Sequence, residues 1–348
     1  MTGLPAVVLG AGKSGAQLAR ALHAHPRVDL QAVVGGSSGS ASELGRHLGV
    51  AAFNEPDDGW HVPSGGIVAV ASPHERHVSQ VLTGLAAGAD VLVDKPVAID
   101  GHGFERIAAA AAASGRGVSC GMVQRCSPDM VRCRDYLRER GEKIHAVAVS
   151  QFLRRESAYY AGWKGDPRAA GGGVLLNQAI HALDLALYLT GAVPLVARAT
   201  LRSSRSIRVE DHVHAAVETD QGVLSLTATT CAAAEESQVI RVFLPTETVV
   251  IVGSETPRWR RVTSSVEEAI AELAARPVPF GPGHATWVDD AVRAWLSRTP
   301  ALYECELELV RASHEVVYAL YESAAQDGAA VSVASRRPSR RPVPGGAS

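Results

Sequence analysis

A glycine-rich turn near the start of the chain constrains its fold more than any other feature. Gly10, Gly12 and Gly15 form a GxGxxG pattern directly after the apolar run at residues 6–10 and at the start of a helical pattern over residues 14–25. In this setting the first glycine permits a tight turn, the second lets the backbone approach a pyrophosphate, and the third lets helix and strand pack closely. Backbone N–H groups at the helix start then face the phosphates. The sequence therefore predicts a dinucleotide site at Gly10, Gly12, Lys13, Ser14 and Gly15.

The first third of the chain alternates short apolar runs with amphipathic helical patterns. Further apolar runs lie at residues 30–35, 66–72, 90–96 and 117–123, with helical stretches between them. Continuous apolar strands that alternate with helices are typical of a parallel sheet covered on both faces. We therefore predict an α/β protein that begins with a Rossmann domain, a doubly wound parallel sheet, over residues 1–123.

Beyond residue 123 the strands become longer, and several of them alternate apolar with polar residues. One lies at residues 210–220, and others follow at 222–231, 237–245 and 247–253. This pattern predicts an α+β domain over residues 124–333 with a large open, mostly antiparallel sheet. Helices at 179–190, 284–297 and 306–325 are expected to cover one face. The other face would be bare, which predicts a homo-oligomer, either a dimer or a tetramer. Residues 334–348 are rich in Pro, Arg and Ser, and we expect a disordered tail there.

The end of the second strand bears on the choice of dinucleotide. Chains that bind NAD usually carry an acidic residue about 20 positions after the glycines, where it holds the ribose 2′-hydroxyl. Here the strand ends at Gly35, followed by Ser37 and Ser38, whose hydroxyls could donate to a 2′-phosphate, but no arginine follows directly. The predicted cofactor is therefore NAD(P), with NAD and NADP both open.

Charge and composition exclude other classes of function. Lys and Arg number 34 and Asp and Glu number 36, and a net charge of −2 is too balanced for a protein that neutralises nucleic-acid phosphates. No apolar run approaches the length of a membrane span, and the N-terminus lacks the pattern of a signal peptide. The five cysteines lack the paired spacing of a zinc site. We expect a reduced, cytoplasmic, metal-free protein that acts on a small molecule.

Two longer segments carry a resemblance to a known family. The segment "VASPHERHVSQVLTGLAAGADVLVDKPVA" at 70–98 resembles the AxxPxxxH…GKHVxxEKPxA stretch of the Gfo/Idh/MocA oxidoreductases. The segment "AAGGGVLLNQAIHALDLALYLTG" at 169–191 is similar to that family's GGGxLxDxGxHxxD segment. The resemblance implies a Rossmann domain followed by a half-barrel sheet domain, with the nicotinamide between them. Most members oxidise or reduce a secondary hydroxyl of a sugar or cyclitol.

The resemblance implies that Lys95 is the family's catalytic lysine, with Asp94 in place of the usual glutamate. A lysine at the carboxyl end of a parallel strand lies where ligands bind in such sheets, and its ammonium can stabilise a developing alkoxide. The alternative is a solvated loop lysine. The family implies a cis Lys95–Pro96 bond. It also implies that the turn formed by Ala71, Ser72, Pro73 and His74 lines the nicotinamide ribose.

His181 matches the family's motif histidine, and Asn177 precedes it by one helical turn where many members have aspartate. Histidine suits proton removal from an alcohol because its pKa lies near operating pH. An amide at position 177 can orient the imidazole but supplies no charge to stabilise an imidazolium. Either His181 or Lys95 could accept the proton. A histidine buried at a helix–sheet interface is the alternative for His181.

Basic and aromatic residues cluster in residues 152–173, before the motif helix. Such groups suit a sugar with an attached phosphate or glycoside, because sugars stack on rings and phosphates bind arginine. An exposed polar loop is an equally good alternative. The predicted substrate-binding residues are Lys95, Arg154, Tyr160, Trp163, Lys164, Asn177 and His181.

These features predict an NAD(P)-dependent oxidoreductase that acts on a secondary CH–OH group of a hexose, sugar nucleotide or glycoside. Asn177 resembles the residue of members that act on amino sugars and sugar nucleotides, which favours C3 and a role in amino-sugar biosynthesis. One alternative is a redox-assisted glycosidase, which holds NAD tightly and produces no net NADH. Another is a non-catalytic ligand-sensing binding protein, although the presence of both Lys95 and His181 argues against it.

Overall fold

A computed structural model describes residues 3–35, 39–54, 61–62, 64–275, 283–297 and 303–333. Ser37, Ser38 and the expected tail at 334–348 lie outside the described residues. None of the helices within the described ranges is both long and apolar enough to cross a membrane.

The first part of the chain forms a six-stranded sheet in the order β3-β2-β1-β4-β5-β6, and all of its strand pairs are parallel. Its strands are β1 (Leu4–Leu9), β2 (Val28–Val34), β3 (Ala51–Phe53), β4 (Ile67–Val70), β5 (Asp90–Val93) and β6 (Val118–Cys120). Its helices are α1 (Lys13–Ala24), α2 (Ser40–Leu48), α3 (His77–Ala86) and α4 (Gly101–Ser114).

Burial explains why these short runs form central strands. Every residue of β4 is buried, as are the last four of β1 and the last three of β5. Strands that are apolar on both faces need helices on both sides, which the alternating pattern supplies. The predicted doubly wound parallel sheet is confirmed. The three-residue edge strand β3 was not predicted, because three partly exposed residues give no apolar run.

The second part forms an eight-stranded sheet in the order β13-β12-β11-β7-β10-β9-β8-β14. Its strands are β7 (Ala146–Phe152), β8 (Pro194–Arg202), β9 (His212–Thr219), β10 (Val223–Thr229), β11 (Val239–Phe243), β12 (Thr248–Val252), β13 (Arg258–Val262) and β14 (Val331–Ser332). The helices of this part are α5 (Pro128–Arg140), α6 (Pro167–Ala170), α7 (Ile180–Thr190), α8 (Val266–Ala275), α9 (Gly283–Ser297) and α10 (Arg311–Ala325). The β7–β10 pair is parallel, and the other pairs of this sheet are antiparallel.

The predicted alternation of this sheet is confirmed in β9, where Val213, Ala215 and Val217 are buried. α7 packs against β7 and α10 against β8, so two of the three expected helices cover the inner face. The opposite face keeps the exposed apolar side chain of Val223 on β10. Val223 and Leu195, which stands at an irregular position of β8, are each 46% exposed.

The expected place of the helix at 284–297 is wrong. This helix, α9, packs against α1 and β5 of the first sheet rather than on the eight-stranded sheet. Its fully buried Trp287 donates from Nε1 to Ser119 Oγ of β6 at 2.6 Å. The unpredicted α8 packs on β12 and β13, where Leu273 joins a small second core with Val250 and Val252. The face of the eight-stranded sheet opposite α7 and α10 is therefore partly covered at the end formed by β12 and β13.

Candidate active site

A cleft of about 1070 Å³ lies at the carboxyl ends of β1, β4 and β5. Ligands bind at this edge of doubly wound sheets, beside the point where the strand order reverses between β1 and β4. Residues from both parts of the chain line it, since the segments after β7 and before α7 form its opposite wall. The cleft brings together most of the predicted site residues, and its volume matches that of large ligand pockets.

The glycine turn forms one end of the cleft. Gly10 has φ +107°, and a Cβ there would lie 2.4 Å from the Ala71 carbonyl oxygen. A Cβ on Gly15 would lie 1.9 Å from the Gly10 carbonyl oxygen, so close helix–strand packing requires this glycine. Gly12 differs, because its φ is −74° and a Cβ would meet nothing within 4 Å. Open space therefore faces the start of α1, and the backbone N–H groups there fit a pyrophosphate.

Lys13, Ser14 and Gly35 also line the cleft, beside Gly10 and Gly12. Gly15 packs against the backbone of the glycine turn and does not line the cleft.

The turn after β4 joins the two walls of the cleft. Ser72 donates from Oγ to Gln80 Oε1 at 2.6 Å. His74 donates from Nδ1 to the Ala170 carbonyl at 2.7 Å, and its ring lies edge-on to Trp163 with 4.7 Å between centroids. Burial, followed by the charge of Lys95, holds the pKa of His74 well below its usual value, so this ring is neutral. The four predicted residues Ala71, Ser72, Pro73 and His74 all line the cleft.

Lys95 lies at the base of the cleft. Its Nζ donates to the Asn177 carbonyl at 2.6 Å and lies 3.4 Å from Asn177 Oδ1. Burial lowers the pKa of Lys95, partly offset by the neighbouring carboxylate of Asp94. Burial alone would raise the pKa of Asp94, but Lys95 and His284 outweigh it and the pKa lies below its usual value. The Lys95–Pro96 bond is cis, as the family resemblance implied.

Two buried histidines hold the Pro96–Val97 peptide group, which lies one residue after Lys95. His77 donates from Nδ1 to the Pro96 carbonyl at 2.7 Å. The N–H of Val97, in the same peptide group, donates to His314 Nε2 at 3.0 Å, and His314 Nδ1 donates in turn to the Val310 carbonyl at 2.9 Å. Both side chains are nearly inaccessible, and burial lowers both pKa values, that of His314 to about 4.

Sequence reasoning missed both of these roles. His77 stands in the motif that carried the resemblance, whereas His314 lies 217 residues from its partner and gives no local signal.

The turn before α7 and the first turn of α7 present Asn177 and His181 to the cleft. Asn177 lies in a wide helical turn at Leu175–Ala179, of the kind often found at functional sites. Within the described chain, the buried Nδ1 of His181 has no hydrogen-bond partner. Burial, followed by the charge of Lys95, lowers the pKa of His181 to about 4. His181 is therefore neutral at pH 7 and can accept a proton.

Glu210 fixes the glycines that precede this turn. Its carboxylate accepts from Gly173 N at 2.8 Å, from Leu175 N at 3.1 Å and from the Tyr321 hydroxyl at 2.7 Å. A Cβ on Gly173 would lie 1.9 Å from the Glu210 carbonyl oxygen, so no other residue fits this approach. Glu210 was not predicted, since it lies on a different element from the motif it supports.

Of the predicted substrate residues after β7, the cleft contains Trp163 and Lys164 but neither Arg154 nor Tyr160. Arg154 is exposed and pairs with Glu156, and Tyr160 is buried with its hydroxyl 2.6 Å from Thr230 Oγ1. Their neighbours in sequence line the cleft instead. Adjacent side chains point to opposite sides in the extended stretch at 154–155, and they point in different directions in the 3-10 turn at Ser157–Tyr160. These neighbours are Arg155 and Tyr159.

Other residues on the cleft wall were not predicted, including His284 at the start of α9 and Gln124, Gln151, Glu235 and Glu255. They come from loops and elements far apart in sequence. His212 and His214 do not line the cleft. His214 is exposed on the face opposite α7 and α10.

Comparison with known proteins matches both parts of the chain to one family. Residues 4–122 match an oxidoreductase family with an NAD-binding Rossmann fold, and residues 139–256 match the GFO/IDH/MocA C-terminal domain. The rhizopine catabolism protein MocA of Rhizobium meliloti is 26% identical over 187 residues, which cover 54% of this chain and 57% of MocA. The chain covers between 16% and 57% of the length of five curated relatives that it matches.

Two solved structures show the same fold over nearly the whole chain. GenD2 from gentamicin A biosynthesis, solved in complex with NAD, is 23% identical with a TM-score of 0.79, and the match covers 96% of this chain and 97% of GenD2. The WlbA dehydrogenase of Chromobacterium violaceum, solved with NADH and UDP-GlcNAcA, is also 23% identical, with a TM-score of 0.80. That match covers 95% of this chain and 96% of WlbA.

Proposed function

The chain belongs to the Gfo/Idh/MocA family of oxidoreductases, and we propose that it is an NAD(P)-dependent dehydrogenase of a carbohydrate. The proposed reaction moves a hydride between the nicotinamide and a carbon that carries a secondary hydroxyl. The observation that carries this proposal is one cleft that holds the glycine turn, Lys95 and His181 together. Hydride transfer requires a dinucleotide and an acid–base group at the same place.

The residues at the start of α1 fit the dinucleotide. Gly12 leaves open space where a side chain would stand, and the first turn of α1 carries no acidic residue that would repel phosphate. We propose that Gly10, Gly12, Lys13 and Ser14 hold the pyrophosphate and that Ser72 and Pro73 lie beside the ribose. When bound, NAD(P)+ supplies the hydride acceptor.

We propose that Lys95 orients the reacting hydroxyl and stabilises its oxygen as negative charge develops. Asn177 holds the ammonium through its carbonyl, and His77 and His314 fix the peptide that follows it. His181 is the proposed proton acceptor, because its imidazole is neutral and lines the same cleft as Lys95. Its pKa of about 4 makes it a weak base, so Lys95 must lower the pKa of the alcohol it contacts.

We propose a hexose, sugar nucleotide or glycoside as the substrate and C3 as the carbon that is oxidised. Trp163 provides a ring on which a pyranose can stack. The preference for C3, and a role in amino-sugar biosynthesis, rest on Asn177, which stands where many family members have aspartate.

A panel of neutral sugars, sugar nucleotides and aminoglycosides, each with NAD+ and with NADP+, tests the proposal through absorbance at 340 nm. A dehydrogenase gives reduced cofactor with at least one of them. Cleavage of a glycoside with no net reduced cofactor would instead identify the redox-assisted glycosidase. Binding of a sugar without either reaction would identify a ligand-sensing protein.

A further inference from the structure

The wall of the cleft opposite the glycine turn carries a positive charge that the proposed chemistry does not use. Lys164 lies in the short turn Trp163–Gly165, is half-buried and lines the cleft. Lysine side chains ordinarily extend their ammonium into water. That of Lys164 lies over the Tyr159 ring instead, 4.1 Å from its centroid, and 5.8 Å from that of Trp163. Contact with these two rings holds the ammonium of Lys164 against the cleft wall.

The neighbours of Lys164 are also cationic. Burial lowers the pKa of Lys164, and the charges of Lys95, Arg155 and Lys13 lower it further. Across the described residues, Lys164 has no carboxylate within 4.0 Å, the distance of a salt bridge. A cation held among cations in a partly desolvated cleft is unfavourable unless an anion joins it.

The other cations of the cleft already have partners or roles. Arg155 pairs with Glu235, with 2.7 Å between Nη1 and Oε2. Lys95 is held by Asn177 and faces the carboxylate of Asp94. Lys13 stands at the start of α1, where the pyrophosphate is proposed to bind. Arg76 also lines the cleft, but it is exposed, whereas Lys164 is half-buried. Among the described residues, Lys164 is therefore the half-buried cation of the cleft with neither a carboxylate partner nor a proposed task.

Tyr159 supplies a second donor beside Lys164. Its hydroxyl accepts a hydrogen bond from Gln178 Nε2 at 2.8 Å, which leaves its own proton free to donate. Burial raises the pKa of Tyr159, so the hydroxyl keeps that proton. An ammonium and a phenol hydroxyl on one wall form a recognition pair for anionic oxygens.

We propose that Lys164, with Tyr159, binds an anionic group of the substrate, so that the enzyme acts on an acidic sugar rather than a neutral or amino-substituted one. The group is a carboxylate or a phosphate, because both present the oxygens that an ammonium and a hydroxyl bind. This inference rests on the proposed function and narrows its substrate class. It also gives Lys164 a task distinct from that of Lys95, since Lys164 binds the substituent and Lys95 binds the reacting oxygen.

The test uses the protein saturated with NAD+ and titration calorimetry with five probes. D-glucuronate carries a carboxylate, glucose 6-phosphate a phosphate monoester and UDP-glucose a pyrophosphate, whereas D-glucose is neutral and D-glucosamine is cationic. We expect at least one anionic probe to bind at least about tenfold more tightly than glucose, the effect of one charge-assisted hydrogen bond. Tight binding of glucuronate would identify the anionic group as a carboxylate, and tight binding of glucose 6-phosphate or UDP-glucose would identify it as a phosphate.

Variants separate the charge of Lys164 from the shape of the cleft. Lys164→Met should remove the advantage of the anionic probe and leave glucose binding unchanged, and Lys164→Arg should keep most of it. Lys143→Met is the matched control, because Lys143 is exposed and does not line the cleft. It should change none of the affinities.

The proposal is overturned if no anionic probe binds more tightly than glucose, or if Lys164→Met weakens neutral and anionic probes equally. Absorbance at 340 nm in the same samples separates it from the proposed function. If anion binding depends on Lys164 but no probe yields reduced cofactor, the proposed anion site stands and the proposed dehydrogenase activity is refuted. If glucose yields reduced cofactor and no anionic probe binds more tightly than glucose, the proposed dehydrogenase activity stands and the proposed anion site is refuted.

Discussion

Replacing Gly12 with valine should abolish dinucleotide binding and leave the fold intact. The backbone at Gly12 has φ −74° and ψ −169°, which valine can adopt, and a Cβ would meet nothing within 4 Å. The expected loss of stability is therefore that of a poor helix N-cap, about 1 kcal/mol. In the complex, the same side chain would fill the space of the pyrophosphate. Loss of two charge-assisted hydrogen bonds amounts to about 3 kcal/mol or more, an affinity at least about 100-fold lower.

Calorimetric titration with NAD+ and NADP+ measures the affinity, and thermal unfolding of the unliganded protein measures the stability. Gly15→Ala is the contrasting variant, because its Cβ would lie 1.9 Å from the Gly10 carbonyl oxygen. It should lower stability by about 1–3 kcal/mol or more, since backbone atoms on both sides resist displacement. A folded Gly12→Val protein with unchanged cofactor affinity would refute the assignment of the glycine turn.

Further predictions concern the catalytic groups and the assembly. Lys95→Met should lower turnover about 10²–10³-fold, as loss of an oxyanion donor does, with cofactor affinity unchanged in calorimetry. His181→Ala should lower turnover about 10²–10⁴-fold and remove the acidic limb of the pH–rate profile. That limb lies near pH 4 in the native enzyme, because His181 accepts a proton only above its pKa of about 4. Asn177→Asp adds an anion one helical turn away, which should raise the pKa of His181 and move the limb to higher pH. If the limb stays in place and Lys95→Met removes it, Lys95 is the proton acceptor. Light scattering should give a symmetric dimer or tetramer at micromolar concentration, because apolar residues such as Val223 remain exposed on the face opposite α7 and α10. The mass of a single chain would contradict this.

Sequence patterns predicted the parts of the fold that depend on local information. The apolar run of β1, the glycines after it and the helix α1 follow one another directly, so the pattern fixes their contacts. The alternation around Val213, Ala215 and Val217 likewise sets which face of β9 is buried. Lys95 could be placed because the end of a parallel strand in such a sheet lies at its ligand-binding edge.

Contacts between distant segments could not be predicted in the same way. The period-3.6 pattern of α9 shows that this helix has an apolar face but not that Trp287 packs beside β6 rather than on the second sheet. Arg154 and Tyr160 do not line the cleft, whereas their neighbours do. Which of two adjacent side chains points inward depends on the local turn of the backbone, which the composition of the segment does not reveal. The contact of His314 with Val97 joins segments that lie 217 residues apart and leaves no periodic signal.

Transfer of deuterium from a labelled sugar to the cofactor tests the central claim most directly. A sugar that reduces the cofactor at 340 nm is prepared with deuterium at C3, and the mass of the reduced cofactor is measured after turnover. We expect reduced cofactor that carries the deuterium, because the hydride comes from the carbon of the oxidised hydroxyl. Reduced cofactor without the label would contradict the assignment of C3. If the protein binds NAD(P)+ and a sugar but no sugar reduces the cofactor, the proposed dehydrogenase activity is contradicted.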